Sequence, residues 1–228
     1  MNLREMKLSE PAWDYMKNIY KLEQERSPVS TSALADALHL APSSVTEMLK
    51  RLARQGLINY TPYHGITLTE AGQKMALAAI RRHRIVERFL TDMLGFEWHE
   101  AHAEAVLFEH DLSEEAERRL FAALHKPTEC PHGYPIPSKA RSASVEDHPL
   151  YELEMGESAK VVHVRDDEPE LLQFMASLGI KPGVRVKVVE KDPFKGPVGV
   201  TIAGRKRTIG WHLANAIYVK REGGKKSA

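Results

Sequence analysis

The chain has 228 residues, 43% of them hydrophobic and 28% charged, which is typical of a globular protein with two or three small domains. No apolar run approaches the roughly 20 residues that a membrane span needs, and the first residues lack the pattern of a signal peptide. The single cysteine excludes an internal disulfide, so we expect a cytoplasmic protein without a membrane partner. The net charge of +1 neither favours nor excludes nucleic acid.

The first third of the chain predicts a winged helix-turn-helix. Apolar spacing and turn residues predict three helices, at about 9–25, 32–38 and 42–55. Two short β-like runs follow, at 57–61 and 66–69. The third helix begins with small hydroxyl residues, which can approach phosphates and base edges, and continues with the basic pair Lys50 and Arg51. An ordinary capped helix with a solvated basic face explains that segment equally well. The DNA-binding hypothesis involves nine residues: Ser32, Pro42, Ser43, Ser44, Thr46, Glu47, Lys50, Arg51 and His64.

Three more helices are predicted in the middle of the chain, at about 70–94, 99–107 and 113–125. Several of their apolar positions have no partner within so small a helical unit. Pairing of two copies would bury these positions, so we expect a homodimer. Residues 126–149 are rich in Pro, Gly, Ser and His, and we interpret them as a linker.

Histidines and carboxylates on these helices have the spacing of metal ligands. His83 and Glu87 are four residues apart, and His102 and Glu109 are seven apart with His110 adjacent, so each pair shares a helical face. Imidazole with carboxylate suits Mn, Fe, Co, Ni or Zn. A surface hydrogen bond explains any single pair, but two pairs on consecutive helices behind a winged helix favour a metal site.

Three residues outside these helices are further candidate ligands. Asp14 completes a site with Glu109 and His110 if the first helix packs against the helix that carries them. Cys130 and His132 are two residues apart in the predicted linker and can bind one ion if that segment folds back.

Beyond residue 150 the pattern changes to short β-like runs, at 159–164, 184–189, 198–202 and 216–219, with one helix at about 169–178. This pattern predicts a small, mostly β barrel. The expected fold class is mainly α (α+β), with domains at 1–74, 75–148 and 149–228.

Ordered motifs along nearly the whole chain resemble the diphtheria toxin repressor family, which includes the manganese transport regulators. The motifs are YMKNIY (15–20), APSSVT (41–46), LTEAG (68–72), FEH (108–110), CPHG (130–133) and LGIKPG (178–183). The C-terminal part is similar to the SH3-like domain of the longer members. The resemblance implies a homodimer that binds a palindromic operator when loaded with metal, and that represses metal-uptake genes.

The resemblance also implies two metal positions in each subunit. The matching residues are His83, Glu87 and His102 for an ancillary position, and Asp14, Glu109 and His110 for the primary, regulatory position. Members with the CPHG segment can also recruit its Cys and His, here Cys130 and His132. An acid at the start of the SH3-like helix can add a ligand, and Glu168 aligns best, with Glu170 and Asp167 close by.

Two departures from the family pattern concern the primary position. Val106 stands where the family usually supplies a Cys or Glu ligand, so the site is one ligand short or borrows another, such as Glu104. Lys17 stands where some manganese regulators carry a second acid.

The first ligand of the primary position bears on the choice of metal. Asp14 replaces the methionine of the iron-sensing branch, and because a carboxylate is a harder ligand than a thioether, Mn(II) is favoured, with Fe(II) as the alternative.

Two other functions compete with metal-gated DNA binding. A metal-dependent hydrolase is disfavoured, because the sequence has no HExxH helix, glycine-rich phosphate loop or nucleophile elbow, so we expect no enzyme. A winged-helix regulator with a structural metal or an organic effector stays open. Chelation that releases DNA without unfolding the protein distinguishes metal gating from that alternative.

Overall fold

A computed structural model describes residues 10–137, 147–165 and 168–222. Its helices are α1 (Glu10–Glu25), α2 (Thr31–Leu38), α3 (Pro42–Arg54), α4 (Glu70–Asp92), α5 (Ala101–Phe108), α6 (Glu114–Ala123), α7 (Pro169–Ser177) and α8 (Trp211–Ala216). Its strands are β1 (Ile58–Thr61), β2 (Gly65–Leu68), β3 (His148–Pro149), β4 (Ser158–Val164), β5 (Arg185–Lys191), β6 (Val198–Ile202), β7 (Arg205–Ile209) and β8 (Ile217–Arg221).

The chain forms two compact units whose boundary falls within α4. The first contains the described residues up to Arg82 together with Pro137, and the second contains His83–Ile136 and the described residues from 147 onward. The three-domain division at 74 and 148 stays a prediction. Within the described part of the chain, no helix combines the length and the apolar character that crossing a bilayer requires.

The first unit has the predicted winged helix-turn-helix fold. Three helices and the antiparallel hairpin β1–β2 share one apolar core, to which Met16, Leu34, Leu49 and Ile66 contribute fully buried side chains. The Ser30 hydroxyl caps α2, because it accepts a hydrogen bond from the Ala33 N–H at 3.1 Å.

The start of α4 lies directly against the loop that precedes the hairpin. The Thr69 hydroxyl donates to the Gly56 carbonyl at 2.7 Å and accepts from the Gly72 N–H at 3.1 Å. A Cβ atom on Gly72 would lie 1.9 Å from the carbonyl oxygen of Leu57. The close approach of α4 to this loop therefore depends on the missing side chain at Gly72.

The helical part of the second unit is held by two small apolar clusters. Val86, Leu90, Ala101 and Ala105 form one of them. The other consists of Ile85, Leu124 and Ile136. Large apolar side chains nearby stay exposed: Met93, Leu94, Leu107 and Phe108. These exposed side chains agree with the expectation that a second copy covers this region.

The prediction of a linker from residue 126 is wrong for the part that the structure describes. Residues 129–135 form a packed loop, in which Cys130 is 3% exposed and His132 is fully buried. The Gly133 N–H donates to the Cys130 carbonyl, and the Cys130 N–H donates to the Tyr134 carbonyl, both at 2.9 Å. Turn-forming residues gave this segment the composition of a linker, although its side chains are packed. Residues 138–146 of the predicted linker lie outside the described ranges.

The C-terminal part is a six-stranded antiparallel sheet in the order β3-β8-β4-β5-β6-β7, consistent with an SH3-like domain. Its core contains fully buried side chains from the sheet and from α7, among them Val161, Leu172, Val188 and Val200. The sequence prediction missed β7, because this edge strand is mostly charged and only its last residue, Ile209, is buried.

Replacing Gly72 with alanine is expected to destabilise the protein, by about 1–3 kcal/mol. Helix propensity alone predicts the opposite sign, because alanine is favoured over glycine inside a helix by about 1 kcal/mol. Urea unfolding of Gly72→Ala measures the change. Gln73→Ala, at the adjacent exposed position of α4, is the control and should change stability little. A stabilised Gly72→Ala variant would contradict the close contact with Leu57.

Candidate metal centre and nucleic-acid interface

In the second unit, three imidazole rings surround the buried carboxylate of Glu87. Its Oε1 atom lies 3.0 Å from Nε2 of His83, 3.1 Å from Nδ1 of His102 and 3.2 Å from Nδ1 of His132. α4 carries His83 and Glu87 one turn apart, α5 carries His102, and the 129–135 loop carries His132. The side chains of Glu87 and His132 have no exposed surface.

Two overlapping sets of metal-ligand atoms meet at Glu87. One set is His83, Glu87 and His102, and the other is Glu87, Cys130 and His132. Within each set, the candidate ligand atoms lie within 4.8 Å of one another. Imidazole nitrogen, carboxylate oxygen and thiolate sulfur are together the ligands of a transition-metal site rather than of Mg²⁺ or Ca²⁺.

Hydrogen bonding within this cluster leaves buried polar atoms unsatisfied. Oε2 of Glu87 is buried without a hydrogen-bond partner among the described residues, and neither ring nitrogen of His132 has one with acceptable geometry. Nδ1 of His132 is close to Glu87 but is poorly aligned for a hydrogen bond. Buried polar atoms are nearly always satisfied, so these unpartnered atoms fit a place where a cation is coordinated, once the His132 ring has lost a proton.

His83 connects this cluster to the next pair of predicted ligands. Its Nδ1 atom lies 2.7 Å from Oε2 of Glu109, while its Nε2 atom lies 3.0 Å from Nδ1 of His102. Nε2 of His110 lies 3.8 Å from Oε1 of Glu109, whose side chain is also buried. A single imidazole thus contacts residues of both predicted metal positions.

Electrostatics keeps two of these histidines protonated. Burial lowers the pKa of His83, but the Glu87 and Glu109 carboxylates outweigh it and raise the pKa to about 9. Burial also opposes protonation of His132, yet Glu87 and Cys130 raise its pKa well above the usual value. The pKa of Glu87 is held well below its usual value, because His132 and His83 outweigh its burial. Burial and Glu87 raise the pKa of the Cys130 thiol. A divalent cation bound through these residues would displace the two imidazolium protons and the thiol proton of Cys130, so the charge of the cluster would fall by one.

The structure does not bring every predicted ligand to this cluster. Glu168 is about half exposed and faces Nε2 of His212 at 3.6 Å, and Glu170 is exposed at the first turn of α7. Asp167 lies outside the described residues. Glu104 lies on α5 but belongs to none of the groups of possible ligands in the described part of the chain.

Asp14 lies on α1 in the first unit, where its Oδ1 atom is 3.1 Å from Nζ of Lys17. Glu109 and His110 belong to the second unit. The complete primary position therefore stays a prediction.

The predicted DNA-binding residues lie on the exposed face of α3 and around an adjacent cleft. The cleft, in the first unit, has a volume of about 1010 Å³ and brings together Ser32, Thr46, Lys50 and His64. The other predicted residues are exposed on α3: Pro42, Ser43, Ser44, Glu47 and Arg51. Thr46 also donates to the Pro42 carbonyl at 2.9 Å, and Lys50 lies 3.2 Å from Glu47.

Sequence reasoning missed three residues beside these sites. Arg26 and Tyr63 also line the cleft, and Tyr63 is fully exposed in the hairpin turn with φ of 66°. An exposed aromatic residue in a predicted turn could have identified Tyr63. Trp98 lies 5.7 Å from His132, measured between ring centroids, and no spacing in the sequence relates the two.

Metal binding to this cluster is expected to release protons at neutral pH, at least one from His83. The pKa of His83 is about 9, so the ring carries both protons at pH 7 and must lose one of them before a ring nitrogen can coordinate an ion. Apparent metal affinity should therefore rise with pH until about pH 9. Calorimetry in buffers with different ionisation enthalpies measures the protons released. No release at pH 7 would contradict an ion bound to His83.

Three family models match the chain in order. The N-terminal DNA-binding domain of iron-dependent repressors matches residues 7–66, their metal-binding and dimerisation domain matches 69–138, and the FeoA domain matches 148–221. The last match coincides with the six-stranded sheet.

Whole-length relatives agree with these matches. The iron-dependent repressor IdeR of Mycobacterium leprae (strain TN) is 35% identical over 222 residues, 91% of this chain and 95% of the relative. The diphtheria toxin repressor of Corynebacterium efficiens is 32% identical over 221 residues, 92% and 95% of the two chains. A solved manganese-dependent transcriptional repressor in complex with manganese superposes with a TM-score of 0.86 at 34% identity, covering 92% of this chain and 100% of that one. The chain therefore belongs to the iron-dependent repressor family of metal-dependent, DNA-binding transcriptional regulators, which are not enzymes.

Proposed function

We propose that this protein is a cytoplasmic, homodimeric repressor that binds a palindromic operator when loaded with Mn(II) or Fe(II), and that it controls metal-uptake genes. The observation that carries the proposal is the ligand cluster at Glu87, in a chain that begins with a winged helix-turn-helix. The names of the relatives, which include iron-dependent and manganese-dependent repressors, support a divalent metal as the effector.

The ligands come from separate elements, and this arrangement supports a role in gating. Glu87 and His83 lie on α4, a helix that starts immediately after the hairpin of the DNA-binding fold, while His102 and Cys130 lie on α5 and the 129–135 loop. A bound divalent cation supplies directed bonds that link these elements. Without the cation, only hydrogen bonds and electrostatic attraction hold the imidazoles to Glu87. The metal-loaded and metal-free forms therefore differ in how firmly these elements are held together. The free energy of this difference is what metal binding can contribute to DNA affinity.

The two metal positions favour different metals. The carboxylate of Asp14 favours Mn(II) at the primary position, which supports Mn(II) as effector with Fe(II) as the alternative. The group at Glu87 adds three imidazoles and a buried thiol, a softer set of ligands that suits Fe(II), Co(II) or Zn(II) better than Mn(II). We therefore expect two sites of unequal selectivity in each subunit.

On DNA, the exposed face of α3 enters the major groove in this proposal. Small hydroxyls at its N-terminus approach the bases, while Lys50 and Arg51 contact phosphates. In the homodimer, two such helices are about one helical turn of DNA apart, which fits a palindromic site.

Chelation is expected to abolish operator binding without unfolding the protein. Fluorescence anisotropy with genomic operator fragments, at fixed salt, compares Mn(II), Fe(II) and Zn(II) with chelator, while circular dichroism monitors the fold. Tight binding only with Mn(II) or Fe(II) identifies the effector. Equal binding in chelator would refute metal gating, and unfolding in chelator would indicate a structural metal.

Two neighbouring residues of α3 are expected to affect DNA binding differently. Lys50→Ala removes a phosphate contact, so it should weaken binding to all sequences alike and reduce the salt dependence by about one charge. Glu47→Ala removes a carboxylate that can accept from cytosine N4, so it should relax preference at one position of each half-site by about 1–3 kcal/mol. Selection from a randomised duplex library compares both variants with wild type. Identical selected motifs for wild type and Glu47→Ala would exclude base recognition by Glu47.

A further inference from the structure

The loop formed by residues 129–135, here called the ligand loop, carries two of the candidate ligands at Glu87 but has little structure of its own. Its regular pairing with the described part of the chain is limited to an isolated β-bridge between Glu129 and Pro135. The hydrogen bonds among Cys130, Gly133 and Tyr134 fold it into a turn but do not determine where that turn lies. The position of Cys130 and His132 must therefore be set by what the loop packs against.

Strand β4 of the C-terminal sheet makes the main backbone contact with the ligand loop. β4 pairs with β5 through Ser158, Ala159 and Lys160. Further along the strand, the N–H of Val164 donates to the carbonyl of His132 at 3.0 Å. The carbonyl of a candidate metal ligand is thus bonded directly to the sheet.

This contact requires glycine at position 133, because a side chain there would collide with the backbone of β4. The φ of Gly133 is 89°, and a Cβ atom would lie 1.9 Å from the carbonyl oxygen of Val162 and 2.9 Å from the Cα atom of His163. Val162 lies where the register between β4 and β8 shifts, so the strand is irregular at the point of contact. Both obstacles are backbone or Cα atoms, which cannot move aside as the end of a flexible side chain can.

Side chains hold the loop from two further directions. The Tyr134 ring lies 4.5 Å from the ring of His163 on β4, measured between centroids, and the guanidinium of Arg84 on α4 lies 4.9 Å from the centroid of the same Tyr134 ring. Arg84 also donates to the Pro135 carbonyl at 2.6 Å. Trp98 packs against the core of the C-terminal sheet and lies beside the His132 ring. The loop is therefore held between α4 and β4.

We propose that the C-terminal sheet is the positioning element for the metal ligands Cys130 and His132, through docking of the ligand loop on β4 at Gly133. The proposal rests on the function proposed above, in that Cys130 and His132 bind metal. It gives the C-terminal domain a role that acts through the backbone and does not require Glu168 or any other acid of that domain to reach the ion. Gly133 is a positioning residue in this proposal, not a ligand.

Substitution of Gly133 tests the docking. Gly133→Ala should weaken Co(II) binding at the thiolate-containing site by about 10- to 100-fold, as loss of a supporting contact to a ligand typically does. The thiolate-to-cobalt charge-transfer absorption follows this site specifically, because Cys130 is the only cysteine of the chain. Gly156→Ala is the matched control, since Gly156 has a φ of 92° but no atom of the described residues lies within 4 Å of the place that a Cβ atom would occupy. It carries the same backbone strain without the collision, so its Co(II) affinity should equal that of wild type.

A second readout does not depend on metal. Cys130 is 3% exposed, so its reaction with an aromatic disulfide reagent should be slow in the metal-free wild type and in Gly156→Ala, and faster in Gly133→Ala. Tyr134→Ala, which removes the ring between His163 and Arg84, should change both readouts in the same direction. It serves as the test if Gly133→Ala does not fold.

The outcomes separate the docking from the metal-binding proposal. Wild-type Co(II) affinity together with slow thiol reaction in the folded variants would overturn the docking of the loop on β4. No charge-transfer absorption in the wild type would instead show that Cys130 is not a ligand, and the thiol reaction would still decide whether the sheet holds the loop.

Discussion

The second unit is organised around a carboxylate that has no contact with solvent. Burying an ionised Glu87 costs several kcal/mol unless positive charge or hydrogen bonds compensate it, and the chain supplies three imidazoles for this purpose. Those imidazoles come from α4, α5 and the ligand loop. Three separate elements therefore contribute to the environment of this one side chain. Without Glu87, the pKa of His83 would be raised only by Glu109, and that of His132 only by Cys130, against the opposing effect of burial.

The same arrangement suits the proposed metal site, because opposite charges are paired in the cluster when no ion is bound. Protons on His83 and His132 balance the charges of the two carboxylates, Glu87 and Glu109. Protons bind one ligand atom each, whereas a metal ion binds several atoms at once. In the proposed function, the gain from metal is therefore the cross-linking of α4, α5 and the ligand loop.

The sequence was sufficient to predict most of the elements and part of the site. Periodicity located α1–α6 and four strands of the sheet, and the four-residue spacing of His83 and Glu87 correctly indicated neighbouring side chains. The seven-residue spacing of His102 and Glu109 was less informative, because α5 ends at Phe108 and both residues instead contact His83, through different ring nitrogens. That relationship depends on the packing of α4 against α5, which no local pattern encodes. The sequence analysis missed β7 for a related reason. The residues of this edge strand are mostly charged, so they lack the alternation of apolar and polar residues that burial of one face of a strand produces.

The CPHG segment, which carries two candidate metal ligands, shows why composition was misleading. Proline and glycine indicated a linker, since they favour turns and disfavour regular structure. In the structure the turn brings Cys130 and His132 to Glu87, and the glycine is needed because the backbone of β4 occupies the space of a side chain. A single sequence does not distinguish a glycine that is needed for close packing from one that is needed for flexibility. They differ in what a β-carbon would meet, which depends on a strand about thirty residues further along the chain. The contact that completes the candidate metal site is thus long-range, and only the folded chain reveals it.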